Sequence, residues 1–315
     1  MGVFTIARIG KDMKSVQYVV TEEYDTERID KFLTSMNEDL SRSYIQRLIK
    51  EQRVLVNDKI VKANYKVNTD DIVDYTIPDA IIPKIEPEEI PLDILYEDKD
   101  VLVVNKPKGM VVHPAAGHYS HTLVNAVMYH CHQDLSGING IMRPGIVHRI
   151  DRNTTGSIII CKNDIAHHEI AAQLKAHTIK RRYHAIVYGV LKEEEGCIEK
   201  PIGRHPNDRK KMSVYSNQGK EAITHYKVLK RFRQYTYIEC ALETGRTHQI
   251  RVHMASIGHP ILGDDVYAGQ KCPFHLEGQT LHAKVLGFIH PSTKQYIEIL
   301  APLPDYFLHL LKILD

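Results

Sequence analysis

No two of the five cysteines (Cys131, Cys161, Cys197, Cys240, Cys272) stand closer than 30 positions, so the chain holds no C-x-x-C pair. That spacing excludes a disulfide framework and a cysteine-based zinc site, and it points to a reducing, cytoplasmic setting. Long apolar runs are missing too. The amino-terminal VFTIA is too short for the core of a signal peptide, and nothing downstream approaches a membrane span, so no membrane role is expected. The Asn153-Thr154-Thr155 triplet is then a chance glycosylation match. Three nucleotide and hydrolase signatures are absent: the phosphate loop G-x-x-x-x-G-K-[ST], the dinucleotide turn G-x-G-x-x-G and the nucleophile elbow G-x-S-x-G. Nineteen histidines invite a metal reading, but His168-Glu169 opens an H-E-x-x-H match that fails at Ala172, and no metal is expected.

What is there describes a soluble chain of 315 residues, 25% charged and 43% hydrophobic, long enough for one large domain and a small one. The net charge of +2 says little as a whole. Its distribution says more. Residues 15–78 read as a small separate unit, with TERIDKFLTSM as one helix and SRSYIQRLIKEQRVLVNDKIVKANYKV as a helix, with Ser41 as its N-cap, running into strands. From Ser41 to Lys66 seven basic residues (Arg42, Arg47, Lys50, Arg53, Lys59, Lys62, Lys66) face two acidic ones (Glu51, Asp58). Such a stripe is either a nucleic-acid footprint, with Arg42, Arg47, Lys50 and Arg53 as contacts, or a solvated helix face. Residues 79–90, rich in proline and acid, read as a stiff linker.

The remainder, 91–315, is organised around Gly145–Lys162, GIVHRIDRNTTGSIIICK, in which two apolar strands are expected to flank a polar loop. Asp151 lies between Arg149 and Arg152, and two such neighbours favour the charged carboxylate and aim it. Upstream, DILYEDKDVLVVNKPKGMVVHPAAG reads as a strand over Val101 to Val104, a Lys-Pro-Lys-Gly turn and a second strand ending at His113-Pro114. HTLVNAVMYHC then repeats its apolar residues at helical spacing. Downstream, DIAHHEIAAQLKAH is an amphipathic helix and KRRYHAIVYGVL a strand with Tyr183 at its basic entrance. The segment GRHPNDRKKMSVYSNQGKEAITHYKV places Arg209, Lys210 and Lys211 among turn residues, as a basic hairpin or loop for phosphates or as a plain exposed loop. GRTHQIRVHMASIGHPILGDDVYAG becomes a helix with Ile250, Met254 and Ile257 on its core face and Arg251 off it, while Arg246 and His248 sit at its start, where phosphate is favoured. His253 reads as structural. LHAKVLGFIHPSTKQYIEILAPLP closes the sheet with two strands.

Several of these phrases together resemble one family. H-R-I-D-R-N-T-T-G (148–156) is similar to the H-R-[LI]-D-x-x-T-[ST]-G segment of pseudouridine synthases that modify large-subunit ribosomal RNA; Ile150, Asn153, Thr155 and Cys161 replace a usual Leu, Asp, Ser and Ala. N-K-P-x-G-x-x-x-H-P, T-L-V-N-A, R-Y-x-A-x-V-x-G, Q-I-R-x-H and the closing strands match in the same order. The resemblance implies that Asp151 is the nucleophile, that Tyr183 stacks on the target uracil, that Arg251 pairs with the acid and that Arg149 enters the RNA where the target base has left. It also implies a reaction without net gain or loss of atoms, hence no cofactor. The amino-terminal D-K-F-L, S-R-S-Y-I-Q-R-L-I-K and V-x-V-N-D-K resemble the RNA-binding fold shared with the fourth small-subunit ribosomal protein.

The expected architecture is α+β: a catalytic domain on a mixed, mostly antiparallel central sheet with a central cleft, plus a small α/β RNA-binding domain at the amino terminus. The expected activity is isomerisation of specific uridines to pseudouridine in RNA, by a monomer. A catalytically idle RNA-binding or ribosome-assembly protein is the other reading, and it has no need of Asp151, Tyr183 and Arg251 together.

Overall fold

The computed structural model describes every residue except 1–5, 11–12, 38–39, 79–84, 115–118, 133–134, 139–143, 209–210, 217 and 270. The chain divides into two compact units, Met1–Pro83 and Lys84–Asp315.

The first unit is an antiparallel sheet covered by two helices. Its elements are β1 (Ile6–Gly10), β2 (Met13–Val19), α1 (Ile29–Ser35), α2 (Arg42–Lys50), β3 (Val54–Val56), β4 (Lys59–Ile60) and β5 (Ile72–Pro78), with sheet order β1-β2-β5-β3-β4. Helix α2 starts where expected, the Ser41 side chain accepting from the Tyr44 N–H. Its Ile45, Leu48 and Ile49 join Phe32, Leu33, Val54 and Val73 in one core. The basic stripe is less free than its sequence suggests. Arg42 and Arg28 both turn to the buried Asp30, with nitrogen–oxygen distances of 2.9 and 3.0 Å. Burial opposes the Asp30 charge, but hydrogen bonds from Arg28, Gln46 and Arg42 outweigh it and hold the carboxyl down at about 2. Arg47 and Arg53 lie 3.8 and 3.5 Å from Glu51.

The second unit is built on a nine-stranded sheet. In chain order its elements are β6 (Ile94–Glu97), β7 (Val101–Lys106), α3 (Leu123–Cys131), β8 (Thr155–Cys161), α4 (Asp164–Lys175), β9 (Lys180–Tyr188), β10 (Glu195–Glu199), β11 (Gly203–Arg204), β12 (Met212–Ser213), β13 (Ile223–Arg231), β14 (Tyr235–Leu242), α5 (Gln249–Ser256), β15 (Leu281–Ile289), β16 (Tyr296–Leu300) and α6 (Asp305–Leu314). The sheet runs β10-β13-β14-β9-β15-β8-β7-β6, with β16 on β15, while β11 and β12 form a separate small hairpin. β15 and β8 pair in parallel; the other neighbours are antiparallel.

Two local features shape the centre of this sheet. Gly156, at φ +105°, lets β8 approach β15 so closely that a Cβ there would lie 2.3 Å from the Ala283 carbonyl oxygen. On β15 the register shifts between Ala283, opposite Tyr183, and Val285, opposite Arg182, so Lys284 is an extra residue that bends the strand beside Tyr183. Along β9, Tyr183, Ala185 and Val187 face the core beneath α3 and α5, whereas Ile186 and Tyr188 pack on the other face against Phe307 and Leu310 of α6.

The structure corrects three expectations about the path of the chain and adds one helix. Only the exit half of Gly145–Lys162 is a strand; the approach contributes one bridge, Ile146 to Ile160, and His148 takes over the pairing by accepting the Ile159 N–H at 3.0 Å. The strand expected to end at His113-Pro114 is reduced to a bridge between Val111 and Thr122. The part of the linker beyond residue 84 is docked on the second unit, since Ile85 is buried in its core and Asn125 Nδ2 donates to the Glu86 carbonyl at 2.8 Å; residues 79–84 lie outside the described residues. Helix α6 follows the last strand, where none was expected. All five cysteines are free, and among the described residues no helix is long and apolar enough to cross a membrane.

Candidate active site

Asp151 sits at the first position of a turn in which the Thr154 N–H donates to the Asp151 carbonyl at 3.0 Å. Its flanking arginines do not hold its carboxylate, contrary to expectation. Arg149 Nη1 lies 3.5 Å from His113 Nε2, and Arg152 Nε donates to the Gly109 carbonyl at 3.0 Å. The partner comes from α5: Arg251 Nη1 donates to Asp151 Oδ2 at 3.0 Å. Nor does Arg251 lie outside the packed interior, for it is only 5% exposed. A second carboxylate makes that burial possible. Asp264, 2% exposed, accepts from Arg251 Nε at 2.7 Å and Nη2 at 2.9 Å, and also takes the N–H groups of Val266 and Tyr267. Burial opposes the Arg251 charge, yet Asp264 and Asp151 together raise its pKa further.

The turn itself is held by Lys106, at the end of β7. Its ammonium is fully buried and donates to the carbonyls of Pro107 (2.8 Å), Met110 (2.8 Å) and Arg152 (3.0 Å), and burial pushes its pKa down to about 7. The Gly109 N–H meets the same Arg152 carbonyl at 3.0 Å, so the turn after β7 and the Asp151 turn are tied backbone to backbone. His148, which accepts a backbone N–H, is driven down to about 3 by burial and by Arg181, consistent with a neutral ring.

On the α5 side, Gln249 Oε1 accepts from Thr244 Oγ1 and from the Arg246 N–H, fixing the chain just before the helix. His248, at φ +56°, then turns its ring inward, with Nε2 3.8 Å from Asp151 Oδ1 and Nδ1 2.8 Å from the Tyr267 hydroxyl. Burial lowers the His248 pKa and Asp151 opposes that shift. Tyr183 closes the floor at 8% exposure, its hydroxyl pKa raised chiefly by burial.

These groups surround one cavity of about 600 Å³, to which Arg149, Asp151, Tyr183, Arg246, His248 and Arg251 all contribute. Six of the residues singled out in the sequence are thus brought together. Arg42, Arg47, Lys50 and Arg53 belong to the other unit, Arg209 and Lys210 lie outside the described residues, and Lys211 lies at the β11–β12 hairpin, its backbone N–H donating to the Asp208 carbonyl at 3.0 Å. His253 is structural as expected, bonded to Thr224 Oγ1 and the Lys200 carbonyl. Asp264, Lys106 and Arg181 were missed as site residues. Asp264 left a faint trace, an acid thirteen positions after Arg251; Lys106 stood inside a phrase read as a turn and as part of the family match, with no role given to the lysine.

Comparison with known proteins follows the same division. Residues 100–256 match the family described as RNA pseudouridylate synthase, and residues 27–73 match the S4 domain. An RNA pseudouridine synthase of Bacillus subtilis strain 168 is 51% identical over 300 residues, covering 95% of this chain and 98% of the relative. The ribosomal large subunit pseudouridine synthase D of Zymomonas mobilis is 44% identical over 316 residues, covering 96% and 98%. Human RNA pseudouridylate synthase domain containing 4 superposes with a TM-score of 0.55 at 26% identity, over 70% of this chain and 92% of that one. The chain therefore belongs to the RNA pseudouridine synthases, isomerases acting on uridine in RNA, and carries an S4 domain at its amino terminus.

Proposed function

We propose that the protein converts particular uridines of large-subunit ribosomal RNA to pseudouridine in the cytoplasm, as a monomer, with Asp151 as the nucleophile. The observation that carries this reading is the Asp151 carboxylate, gripped at 3.0 Å by a guanidinium that is itself locked by Asp264, at the wall of a cavity floored by Tyr183. A uridine inside a stem cannot reach such a place, so the base must be extruded. Tyr183 offers a face for the uracil, and Arg149, exposed at the rim, fills the gap left in the RNA. Asp151 then attacks carbon 6 of the ring or assists departure at carbon 1 of the ribose; both routes break the N-glycosidic bond, turn the ring and rejoin it through carbon 5. All atoms of the substrate are kept. Basic residues of the S4 domain, with Lys50 the freest of the four named, add grip on the surrounding RNA. The ribosomal target follows the printed names of relatives such as that of Zymomonas mobilis.

Pseudouridine mapping of total RNA with and without the gene tests the reading. Loss of defined sites in large-subunit RNA, restored by the wild-type gene and not by Asp151→Asn, is the expected result. An unchanged map overturns it.

A further inference from the structure

The cavity contains a second buried guanidinium to which the roles above give no work. Arg181, 9% exposed, lies on β9 two residues before Tyr183 and on the same face, lining the same cavity. Its Nη2 donates to the Glu243 carbonyl at 3.1 Å, but its buried Nε meets no acceptor, and no carboxylate pairs with it among the described residues. Its neighbours are served differently. Arg182, on the opposite face, pairs with Glu239 at 2.8 Å, and Arg251 has Asp151 and Asp264. A buried charge without a counter-charge costs free energy, and a site that retains one is built to receive an anion. Gly245 leaves the room it needs: a Cβ there would lie 2.6 Å from Arg181 Nη1. Arg181 also acts on its neighbour along the strand, opposing the upward shift of the Tyr183 hydroxyl.

Two residues along a strand span roughly 6.6 Å. That is the scale separating a nucleobase from the phosphate of its own nucleotide. Resting on the reading that a uridine enters this cavity against Tyr183, we propose that Arg181 binds a phosphate directly flanking the target uridine, and so sets how deep the base sits against Asp151. A guanidinium suits this task, since its fixed donors meet two phosphate oxygens at once.

The test uses short synthetic RNAs centred on a target uridine, made with natural phosphates or with one uncharged methylphosphonate on either side of that uridine. Single-turnover pseudouridine formation and RNA binding by fluorescence anisotropy are measured for wild type, Arg181→Met and Arg181→Lys. Neutralising one of the two phosphates should cost the wild type about 10- to 100-fold in rate, the scale of a hydrogen bond to a charged group. Arg181→Met should start from a comparable loss and be indifferent to the modification, and Arg181→Lys should fall between. Should Arg181→Met fail to fold, Gly245→Ala, which displaces the guanidinium, must show the same reduced sensitivity. Equal penalties in wild type and variants, or no penalty at either phosphate, overturn the assignment. Phosphate sensitivity in binding that depends on Arg181, without any pseudouridine formed by the wild type, overturns the isomerisation reading and leaves this one standing.

Discussion

Asp151 and Arg251 stand a hundred residues apart in the chain and 3.0 Å apart in the fold, and the arginine reaches the acid only because Asp264 holds its other edge. The Asp151 carboxylate is therefore aimed from α5 and not by Arg149 or Arg152 beside it. Position and direction of the acid depend on a bond between two distant segments.

Asp151→Asn keeps the shape of the turn and removes the carboxylate proposed as the nucleophile. Tritium release from RNA labelled at carbon 5 of uridine should fall to background while RNA affinity stays within about twofold, because binding cannot replace a covalent catalyst. Substantial turnover by the variant would sink the assignment.

Asp264→Ala takes from a buried guanidinium the carboxylate that meets two of its nitrogens, leaving Asp151 at 3.0 Å and the exposed Asp265 at 4.0 Å. Breaking a buried pair in this way costs about 3–5 kcal/mol, to be read from urea unfolding. Arg251→Lys should also lose most of the single-turnover rate, since one ammonium cannot bridge Asp151 and Asp264 in the same plane. A fully active Lys variant would show that charge alone suffices.

Arg149 and Arg251 should separate by substrate. Arg149→Ala weakens base extrusion, so an RNA whose target uridine is already unpaired should partly rescue it. Arg251→Ala is defective after extrusion and should gain nothing from that RNA. Equal rescue would mean that the two roles have been exchanged.

Lys106 makes a pH-dependent prediction. Its pKa in the fold, about 7, lies below the ordinary value of 10.5, so between these values the unfolded chain holds a proton that the folded chain does not. The corresponding stability is complete above the ordinary value and is lost as the pH falls through about 7. Within that window unfolding free energy should rise with pH more steeply for wild type than for Lys106→Met, by up to roughly 1.4 kcal/mol per pH unit. Parallel curves from pH 7 to 9 would show that burial does not depress this lysine.

A fragment beginning at Lys84, which keeps the buried Ile85, should remain folded and catalyse the reaction at saturating RNA with weaker affinity and poorer site choice. Complete inactivity of a folded fragment would make the S4 domain part of the chemistry.

Much of the fold was legible because its periodicities are strong. The helix starting after Ser41, the helix of residues 164–175 and the strand of residues 180–188 follow from apolar spacing. Around Asp151 adjacency misled, because neighbours in sequence diverge on a tight turn, with Arg152 drawn to the Gly109 carbonyl. The approach to that turn reads as a strand by composition, but its pairing is taken by a side chain, His148, and no residue pattern reports such a substitution. The roles of Asp264 and Arg181 were hidden for another reason. Their meaning lies in which face or which distant guanidinium they meet, and that is settled only once β9, α5 and the segment after α5 are packed together.

Strand β9 has a consequence for how this chain can vary. Arg181 and Tyr183 reach the cavity, while Arg182 meets Glu239 on the other side, only because successive residues alternate across the sheet. Loss or gain of one residue between Lys180 and Tyr183 would exchange the two faces at a stroke, delivering Arg182 to the cavity and sending the tyrosine away from it. In this stretch the count of residues is under tighter constraint than their kinds, so tolerated change should take the form of replacement.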